Sequence, residues 1–130
     1  MPVFLDTNIL IYAFSDDPRT STAEKLLSDG GEISVQVLNE FSNVARKKLQ
    51  FDWQQLGEAL GIVRGLASRV NPLNVETHIE GIALAERYGI SIYDGLIVAS
   101  AIQAGCDILY SEDMHDGLGI GEQLRIVNPF

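Results

Sequence analysis

With 130 residues, 46% of them hydrophobic, and 18 acids against 9 lysines and arginines for a net charge of −9, the chain suits one domain that buries about two thirds of the surface its unfolded form exposes. No apolar run approaches the roughly 20 residues of a membrane span. Met1-Pro2 leads into the first apolar run with no basic leader, and Cys106 is the one cysteine, so a single domain over residues 1–130 in a reducing, cytoplasmic setting is expected. The acidity argues against a surface that attracts nucleic acid as a whole, but leaves room for a local basic edge or for carboxylates gathered by a metal ion.

Val3-Phe4-Leu5 is a short apolar run that stops at Asp6-Thr7-Asn8, after which Ile9, Leu10, Tyr12 and Ala13 recur at helical spacing. This pattern predicts the first strand of a parallel sheet, with Asp6 at its carboxyl end where α/β sheets bind ligands. Asp6 also suits a helix N-cap. Pro18 is expected to open a second helix carrying Ala23, Leu26 and Leu27, stopped by Asp29-Gly30-Gly31. Glu32-Ile33-Ser34 reads as a short strand, and Ser34 as the cap of a helix with Val37, Leu38, Phe41, Val44, Ala45 and Leu49 on its apolar side and Glu40 on its flank.

Asp52 should cap the next helix, whose stripe is Trp53, Leu56, Ala59, Leu60, Val63 and Ala67. Gly57, Gly61 and Gly65 recur every fourth residue in it, either tolerated or open to close packing by a neighbour. Val70-Asn71-Pro72-Leu73 reads as a short edge strand or extended link. A helix with Val75, Ile79, Ile82, Ala83 and Tyr88 on its apolar side ends at Gly89. Asp94 opens a helix through Leu96, Ile97, Val98, Ala101 and Ile102. A strand over Asp107-Ile108-Leu109-Tyr110 then runs into Ser111-Glu112-Asp113, and Leu124-Arg125-Ile126-Val127 forms the last strand. The alternation predicts an α/β fold with a parallel sheet of about four or five strands and helices on both faces.

Asp6, Glu40, Asp94 and Asp113 all compete for one sheet edge, although each alone could be a cap, a turn residue or a solvated flank. Two carboxylates about 4 Å apart repel by roughly 4 kcal/mol at an effective dielectric of 20, so a cluster calls for protons or cations. Oxygen ligands select Mg²⁺ or Mn²⁺, which suit phosphodiester hydrolysis, and no Cys/His cluster points to zinc. His115 is too isolated to assign as a base. Arg46-Lys47-Lys48 is the best basic cluster for RNA phosphates, and it also suits the C-terminal end of its helix dipole. Two other readings are a catalytically silent interaction module and a phosphatase using Asp6 as nucleophile. The second is disfavoured because position 8 is Asn where such chemistry wants an acid.

Four segments carry a resemblance: Phe4-Leu5-Asp6-Thr7-Asn8-Ile9-Leu10, Val37-Leu38-Asn39-Glu40-Phe41, Tyr93-Asp94-Gly95-Leu96-Ile97-Val98-Ala99 and Leu109-Tyr110-Ser111-Glu112-Asp113. In order and separation they resemble the successive motifs of PIN-domain ribonucleases of the VapC type, the toxins of bacterial toxin–antitoxin pairs. The resemblance implies a three-layer PIN-like fold and a Mg²⁺- or Mn²⁺-dependent endoribonuclease that forms homodimers and meets an inhibitory antitoxin. By motif position, Asp6, Glu40, Asp94 and Asp113 take the acidic roles, with Asp6, Asp94 and Asp113 on one or two metal ions and Glu40 completing the site or orienting water. Thr7 and Asn8 support the first acid, Ser111 opens the fourth motif, and Glu112 or Asp116 is left open as a further member of the site.

Overall fold

The computed structural model describes residues 2–130. In chain order they form β1 (Val3–Leu5), α1 (Thr7–Ala13), α2 (Thr20–Ser28), β2 (Ile33–Ser34), α3 (Val35–Lys47), α4 (Trp53–Leu66), β3 (Val70–Asn71), α5 (Val75–Tyr88), α6 (Ile92–Gln103), β4 (Ile108–Tyr110), β5 (Gly119–Ile120) and β6 (Leu124–Val127). The strands β1, β4 and β6 lie side by side in parallel, and β5 closes that edge antiparallel to β6. β2 and β3 form a parallel pair. The Leu5 amide donates to the Glu32 carbonyl at 2.9 Å and the Glu32 amide to the Val3 carbonyl at 2.8 Å, so this pair abuts the other side of β1. The chain therefore leaves β1 toward β2 on one side and returns at β4 on the other, which makes the carboxyl end of β1 a topological switch point.

Local chemistry accounts for most element ends. The Ser34 hydroxyl accepts from the Val37 amide at the start of α3, and Asp52 and Gln55 form a reciprocal capping box on α4. Gly89, at φ 66°, takes the left-handed conformation that ends α5. Pro18 stands in the turn ahead of α2 rather than in its first turn, because the chain enters the helix at Thr20. β5 has no counterpart in the sequence reading: a two-residue strand of one glycine and one isoleucine carries no alternation to detect.

Phe4, Leu5, Ile9, Leu10, Ile33, Val37, Phe41, Ile97, Val98, Leu109 and Ile126 are wholly buried in one core. Helix α6 is buried from Gly95 to Ala101, which explains its unbroken apolar run. The partner face of α5 differs from expectation. Thr77, Gly81 and Ala85 are the buried residues of α5, while Val75 (73% exposed) and Ile79 (63%) face outward. Packing at a helix crossing selected small residues over large ones: a Cβ on Gly95 would lie 2.3 Å from the Gly81 carbonyl oxygen, and one on Gly81 would lie 2.7 Å from Leu96 Cδ2. In α4, Leu56, Ala59 and Val63 are buried as expected, but Trp53 is exposed, and beyond the helix's own neighbouring backbone no described atom lies within 4 Å of a Cβ built on Gly57, Gly61 or Gly65.

Gly95→Ala is expected to lose about 1–3 kcal/mol of stability through overpacking. Gly61→Ala, in open helical surroundings, should gain about 0.5–1 kcal/mol. Urea unfolding of the two variants checks both signs, and equal behaviour of the two glycines would contradict the close crossing.

Candidate active site

The register of β1 against β4 pairs Leu5 with Tyr110, so the next residues, Asp6 and Ser111, emerge side by side. The Asp6 amide donates to the Tyr110 carbonyl at 3.0 Å, and the Ser111 hydroxyl donates to Asp6 Oδ2 at 2.6 Å. Asp6 also caps α1, its Oδ1 accepting from the Thr7 amide at 2.7 Å. Capping and site membership thus coexist in one side chain, which is only 3% exposed. Asn8 Nδ2 reaches Asp6 Oδ2 at 3.4 Å and Asp113 Oδ2 at 3.2 Å, while Asn8 Oδ1 accepts from the Glu112 amide at 3.3 Å. Asn8 therefore joins the first acid to the loop bearing the fourth.

Glu40 arrives from α3. The Thr7 hydroxyl donates to its Oε1 at 3.3 Å, and Gln36 Nε2, one turn earlier, to its Oε2 at 2.9 Å. Asp94 lies in the first turn of α6, where Ser91 is the cap and the helix dipole favours negative charge. Asp6, Thr7, Asn8, Glu40, Asp94 and Asp113 line one cleft of about 300 Å³, together with Lys48.

Other candidates lie elsewhere. The Glu112 carboxylate accepts from the Tyr12 hydroxyl at 2.8 Å and pairs with Arg19 Nε at 3.1 Å. Asp116 accepts from the Asn128 amide at 2.7 Å, which ties down the C-terminal segment. The basic cluster divides: Lys48 faces the acids, whereas Arg46 lies 4.1 Å from the centre of the Trp53 ring and donates to the Phe51 carbonyl at 2.8 Å. Lys47 shares that Trp53 groove. The contacts of Gln36 with Glu40, and of Tyr12 and Arg19 with Glu112, were not anticipated. Only Gln36 left a trace in the sequence, as an amide four residues before Glu40 on the same helical face.

A family model of the PIN domain matches residues 3–115. The chain belongs to the PIN-domain family. A search of curated proteins finds no significant match. Among solved structures, it is similar to VapC20 of Mycobacterium tuberculosis, described as a sarcin-ricin loop cleaving toxin, with TM-score 0.72 and 19% identity over 85% of this chain and 89% of that one. A toxin–antitoxin complex from Klebsiella pneumoniae gives TM-score 0.72 and 22% identity, covering 100% of this chain and 98% of that one. VapBC2 from Rickettsia felis, bound to a DNA fragment from its promoter, gives 0.67 and 23% over 98% and 100%.

In this PIN domain the four lining carboxylates face a single lining ammonium, and the imbalance falls hardest on Asp6. Burial, with the negative charges of Asp94 and Glu40 adding to it, pushes the Asp6 carboxyl up to about 7 against the pull of the Ser111 and Thr7 hydrogen bonds. Asp94 is raised too, by burial first and by Asp113, with Ser91 acting in the opposite direction. Among the described residues no three His, Cys, Asp or Glu side chains meet as a ready-made metal cage. Carboxylate oxygens around a cleft with room for several waters fit a different mode, that of Mg²⁺ held by one or two carboxylates with water completing its octahedron.

Because Asp6 titrates higher folded than unfolded, the folded state binds the extra proton. The stability this contributes is complete below about pH 4 and lost as pH rises through about 7. In EDTA, Asp6→Asn is therefore expected to gain stability relative to the native chain across that window, reaching a few kcal/mol at its upper end. Thermal melts of both proteins from pH 4 to 8 test this, and a difference that does not vary with pH would refute it.

Proposed function

We propose that this PIN domain is a Mg²⁺- or Mn²⁺-dependent endoribonuclease, the toxin of a toxin–antitoxin pair. The observation that carries this reading is the convergence of Asp6, Glu40, Asp94 and Asp113, from four separate segments, on one cleft. Asp6, Asp94 and Asp113 would hold one or two metal ions, with water completing each coordination shell. When bound, the metal neutralises charge on the scissile phosphate and lowers the pKa of the attacking water. Ser111, Thr7 and Asn8 hold the Asp6 carboxylate still, and Asn8 keeps Asp113 in register with it. Glu40, pinned by Thr7 and Gln36, orients the water on the flank of the cleft. That water attacks phosphorus as the bond to the leaving ribose oxygen breaks. Lys48 meets the neighbouring phosphate.

The phosphatase alternative fits poorly, since Asp6 is buried and both its oxygens already accept hydrogen bonds. A catalytically silent interaction module is the second reading; metal titration separates the two, because only an active site is stabilised by Mn²⁺. The partner we propose is an antitoxin that offers Arg or Lys to the acidic cleft, as expected for a chain resembling partners of toxin–antitoxin complexes. Val75 and Ile79, exposed on α5, offer a surface for a homodimer. We also propose that the chain works as a single domain in the cytoplasm, in keeping with its lone buried thiol; no described helix is long and apolar enough to cross a membrane.

With purified protein, RNA and Mg²⁺ or Mn²⁺, cleavage is expected for the native chain and not for Asp6→Ala or in excess EDTA. Ser111→Ala and Asn8→Ala should lose about 10- to 100-fold. Undiminished cleavage by Asp6→Ala or in EDTA sinks the proposal. Separately, Lys48→Gln should reduce the slope of log affinity against log salt by about 1, and Arg46→Gln should leave it unchanged. Equal slopes for the two variants would remove Lys48 from the RNA path.

A further inference from the structure

Beside the acidic cleft, and sharing Glu40 and Val44 with it, runs a second groove of about 420 Å³ lined by Gln36, Asn39, Asn43 and Tyr93. Its chemistry is unlike that of its neighbour. Apart from Glu40 the lining is neutral: three amides, an aliphatic side chain and a phenol. Asn39 and Asn43 are exposed one turn apart on α3, and neither amide is engaged by another described residue. Tyr93 is 62% exposed. Several other partly exposed rings have a partner: Arg46 lies over Trp53, Arg19 and Phe130 against Tyr12, and Arg87 over Tyr88. Among the described residues none stacks on Tyr93. An uncovered aromatic face with amide donors and acceptors beside it is the recognition chemistry of an unpaired nucleobase, which stacks through its face and hydrogen-bonds through its edge. A phosphate would be poorly served there, since the groove has no cation.

We propose that the Tyr93 groove binds the base of a nucleotide flanking the scissile phosphate, with Tyr93 as the stacking platform and Asn39 and Asn43 at the base edge. The substrate is then single-stranded RNA. This rests on the nuclease reading above, because Tyr93 immediately precedes Asp94 and the groove opens onto the acidic cleft. A base enters only if it is unstacked from its neighbours, so a continuous duplex is excluded.

The test uses the Asp6→Asn protein, so that RNA survives, and reads fluorescence anisotropy of a labelled, unstructured RNA oligonucleotide in Mg²⁺. Adding Tyr93→Ala is expected to weaken binding roughly 5- to 150-fold, the range for losing one base–aromatic stack, while Tyr93→Phe stays within about twofold. Oligonucleotides with one abasic residue at successive positions should show a loss at a single position, and that loss should disappear in the Tyr93→Ala background. Equal affinity of the Tyr93→Ala and parent proteins, equal binding of duplex RNA, or an abasic loss that persists without Tyr93 would each overturn the proposal. If the native chain cleaves RNA yet Tyr93→Ala binds normally, only the stacking platform falls. If RNA is not bound at all, both readings fall together.

Discussion

The parallel pairing of β1 with β4 is the constraint on which the rest of the structure depends. Three residues on each strand suffice to set it, and because side chains alternate along a strand, a slip of one residue would turn Asp6 away from Ser111. The site's hydrogen bonds follow from that register. Ser111 meets Asp6, Asn8 one step further on meets both Asp113 and the Glu112 amide, and Thr7 turns to Glu40. A network that joins residues more than a hundred positions apart thus grows from a short ladder buried in the core.

The same ladder carries a charge into the core that the fold alone does not neutralise. Ser111 and Thr7 supply hydrogen bonds to Asp6, yet its carboxyl remains far above its usual range. Natural chains tolerate such tension at functional sites, where the ligand relieves what the fold leaves strained. Glu112 shows the opposite treatment a few residues away: Arg19 and Tyr12 satisfy it fully, and it takes no part in the cleft. An acid with a salt bridge and acids without one among the described residues are therefore separated in space, which is how the cleft distinguishes itself from an ordinary acidic surface.

Much of this was legible in the residues. Apolar runs that stop at Asp6 and at Ser111-Glu112-Asp113 placed two acids on one sheet edge, and the caps at Ser34, Asp52 and Gly89 bounded their helices as read. What periodicity misjudged was the face of α5. Hydrophobicity favours Val75 and Ile79 as the inner side, but the short distance to α6 admits only Gly81 and its small neighbours, and distance between helices is not written in a local pattern. The basic cluster divides for a related reason: side chains two positions apart on a helix point about 200° apart, so Arg46 and Lys48 line different grooves. Tyr12 and Arg19 were invisible because their partner, Glu112, is brought to them only by tertiary folding.

The crossing of α5 and α6 also determines which wall of the cleft can give. Asp94 is followed directly by Gly95, whose backbone is locked against Gly81 with no room even for a methyl group. Asp113, in contrast, stands exposed on the loop beyond β4, tethered through Asn8. One wall of the cleft is fixed by a helix crossing and the other by a side-chain tether. In the proposed metal complex any approach of the carboxylates would fall to the Asp113 side, and the Asn8 amide is the side-chain link that would have to lengthen or re-form.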